Sequence, residues 1–180
     1  MEIKNRRMLV SYLGELGIKT AVEVGVRHGH YSKFILDNTD VDILYAVDPW
    51  EENAELDNPQ LAYSNCKSRL YPYGKRAAMI KALSPEICSE FEDESIDFIY
   101  IDALHDYESV KKDINGWYPK LRYGCIIAGH DYSPRWPGVM QAVNEFVKEN
   151  SLVLNLTGVG AEDNELEQDG GEPSWWVIKA

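Results

Sequence analysis

The four histidines of the sequence all stand where short apolar runs end. They are His28, His30, His105 and His130. Imidazole titrates near neutral pH and binds transition metals, and neighbouring carboxylates can share both kinds of chemistry. The carboxyl ends of parallel strands meet along one edge of a sheet, where open α/β sheets bind their ligands. We therefore expect the four histidines on one rim, an arrangement that favours an enzyme over a purely structural domain.

Strands and helices alternate along the chain in the order typical of a doubly wound α/β domain. Strands are predicted over residues 20–25, 42–48, 77–82, 96–101 and 124–129, as continuous apolar runs typical of a parallel sheet covered on both faces. Helices are predicted over residues 3–16, 30–38, part of 54–70, a short stretch opened by Ser84, 107–121 and 138–150. The tail departs from this alternation, because the strand candidates 151–157 and 174–179 have no helix between them.

These elements predict a single domain over residues 1–180, with an N-terminal helix within 1–17, an alternating core over 18–150 and a terminal hairpin over 151–180. The fold class is α/β: a Rossmann-like, doubly wound, mostly parallel seven-stranded sheet with a C-terminal antiparallel hairpin. The acidic, glycine-rich segment that joins the last two strands is predicted to be an exposed loop.

A glycine turn follows the first predicted strand, in the segment E-V-G-V-R-H-G from Glu23 to Gly29. Gly25 permits close approach of a ligand and Gly29 opens the next helix, although glycines also punctuate ordinary strand–helix turns. Asp48 ends the second strand, where a carboxylate can hold both ribose hydroxyls. The glycines do not form the G-x-G-x-x-G pattern and Glu23 would repel phosphates, so a nucleoside without phosphates is favoured over NAD.

Three segments resemble the class I S-adenosylmethionine-dependent methyltransferases, and most closely the branch that includes macrocin-type sugar O-methyltransferases. They are VEVGVRHGHYSKFIL, YAVDPW and DFIYIDALHDYESVKKDINGWYPKLRYGCIIAGHDY. The resemblance implies a cofactor site in which Asp48 binds the ribose and Trp50 and Ser84 lie near the adenine. It places Glu23, Gly25 and Gly29 on the methionine side. The resemblance adds Arg27 and Asp102 to the cofactor-binding residues. Many members of the wider class have a glycine at the position of Arg27.

The resemblance also implies a divalent metal, Mg²⁺ or Mn²⁺, held by Asp102, His130 and Asp131. An imidazole among the ligands moves the preference away from Mg²⁺. His105, three residues after Asp102, occupies the position of a catalytic base. A structural interpretation stays open for each: an aspartate that caps a helix, a polar His-Asp turn, and a histidine at a helix start.

The overall composition limits the kinds of molecule that the protein is expected to bind. Lys and Arg number 18 against 30 Asp and Glu, a formal net charge of −12, which disfavours nucleic acid and anionic membranes. No signal peptide is expected, and Cys66, Cys88 and Cys125 suit reduced thiols, so a cytoplasmic protein is expected.

The sequence predicts a metal-assisted O-methyltransferase for a small-molecule hydroxyl, sugar or phenolic, with homo-oligomerisation left open. The alternatives are a non-catalytic or N-methylating cofactor-binding protein and an NAD-dependent enzyme.

Overall fold

The computed structural model describes residues 3–51, 58–158 and 172–180. The helices are α1 (Arg6–Leu16), α2 (His30–Asn38), α3 (Pro59–Leu70), α4 (Ser84–Ile87), α5 (Tyr107–Trp117) and α6 (Pro137–Glu149). The strands are β1 (Thr20–Val24), β2 (Ile43–Asp48), β3 (Ala77–Lys81), β4 (Ile96–Ile101), β5 (Leu121–Gly129), β6 (Asn155–Leu156) and β7 (Trp175–Ile178).

The seven strands form one sheet in the order β3-β2-β1-β4-β5-β7-β6. The first five strands pair in parallel, and β7 pairs antiparallel with both β5 and β6. This arrangement confirms the predicted fold class, including the antiparallel pair at the carboxyl end. The order reverses at β1, so that β1 lies between β2 and β4 and the loops after β1 and β4 become neighbours.

Two apolar layers cover the sheet, one on each face. On one face, α1 and α2 pack through residues such as Leu9, Leu13 and Ile35. On the other, α5 and α6 pack through residues such as Ile114 and Phe146. All six residues of β4 are buried, as expected for a central strand covered on both faces. Packing of both layers against the sheet therefore holds in place the carboxyl ends of the parallel strands, which lie along one edge of the sheet.

Several boundaries differ from the sequence-based prediction. The fifth helix was predicted to reach residue 121, but α5 ends at Trp117, a short 3-10 turn follows, and β5 begins at Leu121. Pro119 in that turn cannot supply the backbone N–H that a continuing helix needs. The strand predicted over 151–157 is reduced to two residues.

The third helix begins at Pro59, capped by the Asn58 side chain. The first part of the range in which it was predicted, residues 54–57, and most of the acidic loop before β7 lie outside the described residues. Within the described part of the chain, no helix is long and apolar enough to cross a membrane.

Candidate active site

The loops after β1 and β4 touch through their backbones. Gly25 has a φ of +87°, and a Cβ built on it would lie 2.0 Å from the carbonyl oxygen of Asp102. The Asp102 amide in turn donates to the carbonyl of Val24 at 2.8 Å. Only glycine fits here, since the position combines a left-handed backbone with no room for a side chain. Gly25 thus allows the ends of β1 and β4 to approach closely, and this contact holds Asp102 at the edge of the sheet.

Two aspartates and two histidines gather at the carboxyl ends of β4 and β5. The Nε2 atom of His105 lies 2.8 Å from the Oδ2 atom of Asp131. The Nδ1 atom of His130 lies 3.2 Å from the same oxygen and 4.0 Å from the Oδ1 atom of Asp102. One donor atom from each of Asp102, His105 and Asp131 lies within 4.8 Å of the others, a spacing that a single cation can bridge. The structure thus brings together all four residues predicted for metal binding and base catalysis.

The backbone and the electrostatics of this cluster are both unusual. Asp131 has a φ of +62°, in the left-handed region that few non-glycine residues adopt, although aspartate does so more readily than most. Burial would raise the pKa of Asp131, but hydrogen bonds from His105 and His130 outweigh burial and hold this pKa well below its usual range. Burial raises the pKa of Asp102, and the neighbouring Asp131 carboxylate raises it further. The pair therefore carries its negative charge mainly on Asp131.

An aromatic wall stands beside the cluster. The His105 ring stacks on the indole of Trp136, with ring centres 4.2 Å apart and an interplanar angle of 24°. The guanidinium of Arg135 lies 5.3 Å from the same indole centre. Trp136 therefore fixes the orientation of the His105 ring and presents an aromatic surface next to the carboxylates.

Asp48 ties together the loops that follow β1 and β2. Its Oδ2 atom accepts from the backbone N–H of Arg27 at 2.8 Å, and its Oδ1 atom accepts from that of Trp50 at 2.7 Å. The Trp50 indole N–H donates to the Arg27 carbonyl at 2.9 Å. Each carboxylate oxygen has a second lone pair, so two ribose hydroxyls can still be accepted. Trp50 itself is only 3% exposed and packs edge-on against Tyr63, so its indole holds the loop together from inside.

Three other predicted cofactor residues have mainly internal contacts. Glu23 is 2% exposed and accepts a hydrogen bond from the Ser32 hydroxyl, and burial raises its pKa to about 8. The Ser84 hydroxyl donates to Asp113 at 2.6 Å and accepts from the Trp117 indole N–H at 2.8 Å. A Cβ on Gly29 would lie 2.9 Å from the Cys66 sulfur, so this glycine allows α2 and α3 to pack closely.

Sequence reasoning missed one charged residue at this edge. Arg6, the first residue of α1, is 6% exposed, and its Nη1 atom lies 3.8 Å from the Oδ2 atom of Asp102. Its guanidinium carbon lies 5.2 Å from the ring centre of Tyr31. The helical spacing could have indicated that Arg6 is buried, because Arg6 lies on the same face of α1 as Leu9, Val10 and Leu13.

Comparison with known proteins agrees with this fold. A family model described as a methyltransferase domain matches residues 22–132, more than half of the chain. An O-methyltransferase from Bacillus cereus, solved in complex with S-adenosylhomocysteine, superposes with a TM-score of 0.70 at 16% identity. That superposition covers 97% of this chain and 80% of the other, which shows the shared fold.

Two uncharacterized proteins are related in sequence. One, from Acanthamoeba polyphaga mimivirus, is 29% identical over 137 residues, which cover 72% of this chain and 60% of the relative. The other, from Sinorhizobium fredii, is 28% identical over 96 residues, 52% of this chain and 10% of the relative. The chain therefore spans between a tenth and six tenths of the length of these relatives.

The fold is that of the Rossmann-like methyltransferases. The chain belongs to the methyltransferase domain family, which agrees with the predicted enzyme class, a methyltransferase. This membership favours a methyltransferase over the NAD-dependent alternative.

Proposed function

We propose that this protein transfers the methyl group of S-adenosylmethionine to a hydroxyl of a small molecule, with the help of a divalent metal ion. The observation that carries the proposal is the group of Asp102, His105 and Asp131, whose donor atoms lie within 4.8 Å of one another. The acceptor is a sugar, as in the macrocin-type branch, or a phenolic ring. A formal net charge of −12 favours such an acceptor over a nucleic acid.

The donor set fits a divalent ion. Asp102 and Asp131 supply carboxylate oxygens, and His105 supplies an imidazole nitrogen within the same group. His130 was predicted as a ligand, and its Nδ1 atom lies close enough to both carboxylates to act as a further donor. A mixed oxygen and nitrogen set suits Mn²⁺, Fe²⁺ or Zn²⁺ better than Mg²⁺. A bound ion would orient the acceptor oxygens and lower the pKa of the reacting hydroxyl.

The residues of the chain can also carry the proton transfer. The methyl group moves from the sulfonium sulfur to the acceptor oxygen, and the hydroxyl proton must leave that oxygen. His105 is oriented by two contacts, its stacking on Trp136 and its hydrogen bond with Asp131. When Nε2 carries the proton donated to Asp131, the lone pair lies on Nδ1, and the imidazolium formed on proton uptake is stabilised by the Asp131 carboxylate. His105 is therefore either a metal ligand or an oriented base.

A chelation experiment tests the proposal. After exhaustive treatment with EDTA, the protein should still bind S-adenosylhomocysteine in calorimetry but should not methylate any compound in a panel of sugar and phenolic hydroxyls. Addition of Mn²⁺ should restore turnover, followed as release of S-adenosylhomocysteine. Full turnover after chelation would contradict metal assistance, and methylation confined to amine acceptors would contradict the O-directed reaction.

Two variants then separate the roles of His105 and Asp131. Asp131→Asn should abolish measurable Mn²⁺ binding, whereas Asp37→Asn, which removes an exposed carboxylate paired with Lys33 on α2, should not. If His105 is a ligand, His105→Ala weakens Mn²⁺ binding at least about tenfold. If His105 is the base, Mn²⁺ binding is unchanged and kcat falls by about 10²–10⁴-fold.

A further inference from the structure

An exposed arginine borders the candidate site, in the loop between β5 and α6. The guanidinium carbon of Arg135 lies 5.3 Å from the ring centre of Trp136. The same indole stacks on His105 with ring centres 4.2 Å apart. The guanidinium is therefore separated from the imidazole by no more than the sum of these two distances, a span that one substituted ring can bridge.

Backbone contacts hold this loop against the rest of the site. The Trp136 amide donates to the Ser133 carbonyl at 2.9 Å, and the Arg135 amide donates to the Ser133 hydroxyl at 3.3 Å. A Cβ built on Gly138 would lie 2.8 Å from the carbonyl oxygen of His105. The first turn of α6 therefore packs directly on the loop after β4, and the backbone that carries the arginine is fixed relative to that loop.

The charge of Arg135 has no carboxylate partner in the described part of the chain, where its side chain is exposed and contacts the Trp136 indole. Other arginines are used internally: Arg122 pairs with Asp97, and Arg76 donates to backbone carbonyls. The sequence holds 30 Asp and Glu, so carboxylates are plentiful. A guanidinium that stands beside the site without one is suited to a ligand that brings the anion.

The charges around the site would orient such a ligand. Asp102 and Asp131 lie at the strand ends, where the acceptor hydroxyl reacts, and they repel an anionic group from that end. Arg135 offers the opposite charge in the loop. Its planar fork matches a carboxylate or a phosphate in two parallel hydrogen bonds, and the Trp136 indole supplies a surface for a ring. An anionic acceptor is thus held with its hydroxyl toward His105.

We propose that the acceptor carries an anionic group on its ring, a carboxylate or a phosphate, and that Arg135 binds this group while the ring lies against Trp136. This inference rests on the proposed transfer to a hydroxyl, and it narrows the acceptor from any sugar or phenol to an acidic one. The methyl group goes to the hydroxyl oxygen, and the anionic group stays unmodified. Arg135 is then a residue that determines specificity.

The test compares acceptors with and without the anionic group. The pairs are protocatechuate with catechol, glucuronate with glucose, and glucose phosphate with glucose. Binding is followed by ligand-observed NMR titration in the presence of S-adenosylhomocysteine and Mn²⁺, and turnover by release of S-adenosylhomocysteine from S-adenosylmethionine. The wild type should prefer the acidic member of at least one pair, and that pair identifies the anion.

Arg135→Gln should bind the preferred acidic compound about tenfold more weakly, the lower end of the range for hydrogen bonds to a charged group, because the guanidinium is exposed. Its KM for that compound should rise while kcat changes little, as expected when a contact made equally in the ground and transition states is lost. Binding of the neutral compounds should not change. Lys148→Gln removes one exposed positive charge near the far end of α6 and is the matched control, which should behave as the wild type does.

The outcomes separate this inference from the proposed function. Equal weakening of acidic and neutral compounds in Arg135→Gln, or a wild type that prefers no acidic compound, overturns the inference. A methyl ester on the carboxylate, detected by mass spectrometry, also overturns it, because the anion would then be the methyl acceptor. If no compound is methylated but acids still bind through Arg135, the proposed function fails and the anion site stands. Should Arg135→Gln not fold, Arg135→Lys keeps the charge without the fork and should lose a smaller part of the preference.

Discussion

Replacement of Glu23 by glutamine should make the protein more stable at neutral pH. Glu23 lies in the centre of the sheet, between β2 and β4, and is 2% exposed. Burial raises its pKa from 4.5 to about 8, and the hydrogen bond from Ser32 offsets only part of this rise. The folded protein therefore holds a neutral carboxyl group at pH 7. Glutamine has nearly the same shape, can accept the same hydrogen bond and cannot ionise.

The size of the effect follows from proton linkage. Because the pKa of Glu23 is raised on folding, its stabilising contribution is complete below pH 4.5 and is lost as the pH rises toward 8. Each pH unit inside that window lowers the free energy of unfolding by about 1.4 kcal/mol. The wild type should thus lose about 2–3 kcal/mol relative to Glu23→Gln between pH 5 and pH 7.

Urea unfolding followed by tryptophan fluorescence measures this difference. Midpoints and slopes are compared for the two proteins at pH 5, 6 and 7, since a free-energy difference requires equal slopes. The same exchange at the exposed Glu15 controls for the loss of one negative charge. If the difference between Glu23→Gln and the wild type does not change with pH, the folded protein holds Glu23 ionised and the reasoning from burial is wrong.

Two further predictions concern the strand ends. Asp48→Ala should weaken binding of S-adenosylhomocysteine by about 30–150-fold in calorimetry, since about 2–3 kcal/mol of charged hydrogen bonding to the ribose is lost; wild-type affinity would show that Asp48 only ties the two loops together. Gly25→Ala should lower the free energy of unfolding by about 2–5 kcal/mol in urea, because a side chain there combines a strained backbone with overlap of the Asp102 carbonyl. An unchanged urea midpoint would mean that the two loops can separate without cost.

The sheet could be predicted from the sequence because the apolar runs and the turns between them are local signals. The predicted rim also follows from topology, since strand ends of a parallel sheet share one edge, and Asp102, His105, His130 and Asp131 do meet there. What could not be predicted is the direction of individual side chains. Trp50, for example, has a φ of +43°, and its indole is buried beneath the loop that follows β2.

The missed residue and the inward-facing serine have a different cause. The contact between Arg6 and Asp102 joins residues far apart in the chain, and a charge on an apolar helical face is easily taken for an exception to the pattern. The family resemblance implied a place near the adenine for Ser84, whereas Asp113 and Trp117 on α5 hold its hydroxyl in the interior. Such partners depend on tertiary packing rather than on sequence spacing.

The position of β7 has a consequence for how the chain is made. It is the last of the described strands to leave the ribosome, yet it lies in the sheet between β5 and β6. Until it arrives, the backbone of β5 along Ile126–Gly129 is an open template on which other nascent chains can add a strand. The sheet is therefore completed only when β7 pairs with β5, and a product that stops short of Trp175 would carry an aggregation-prone edge in place of an interior strand.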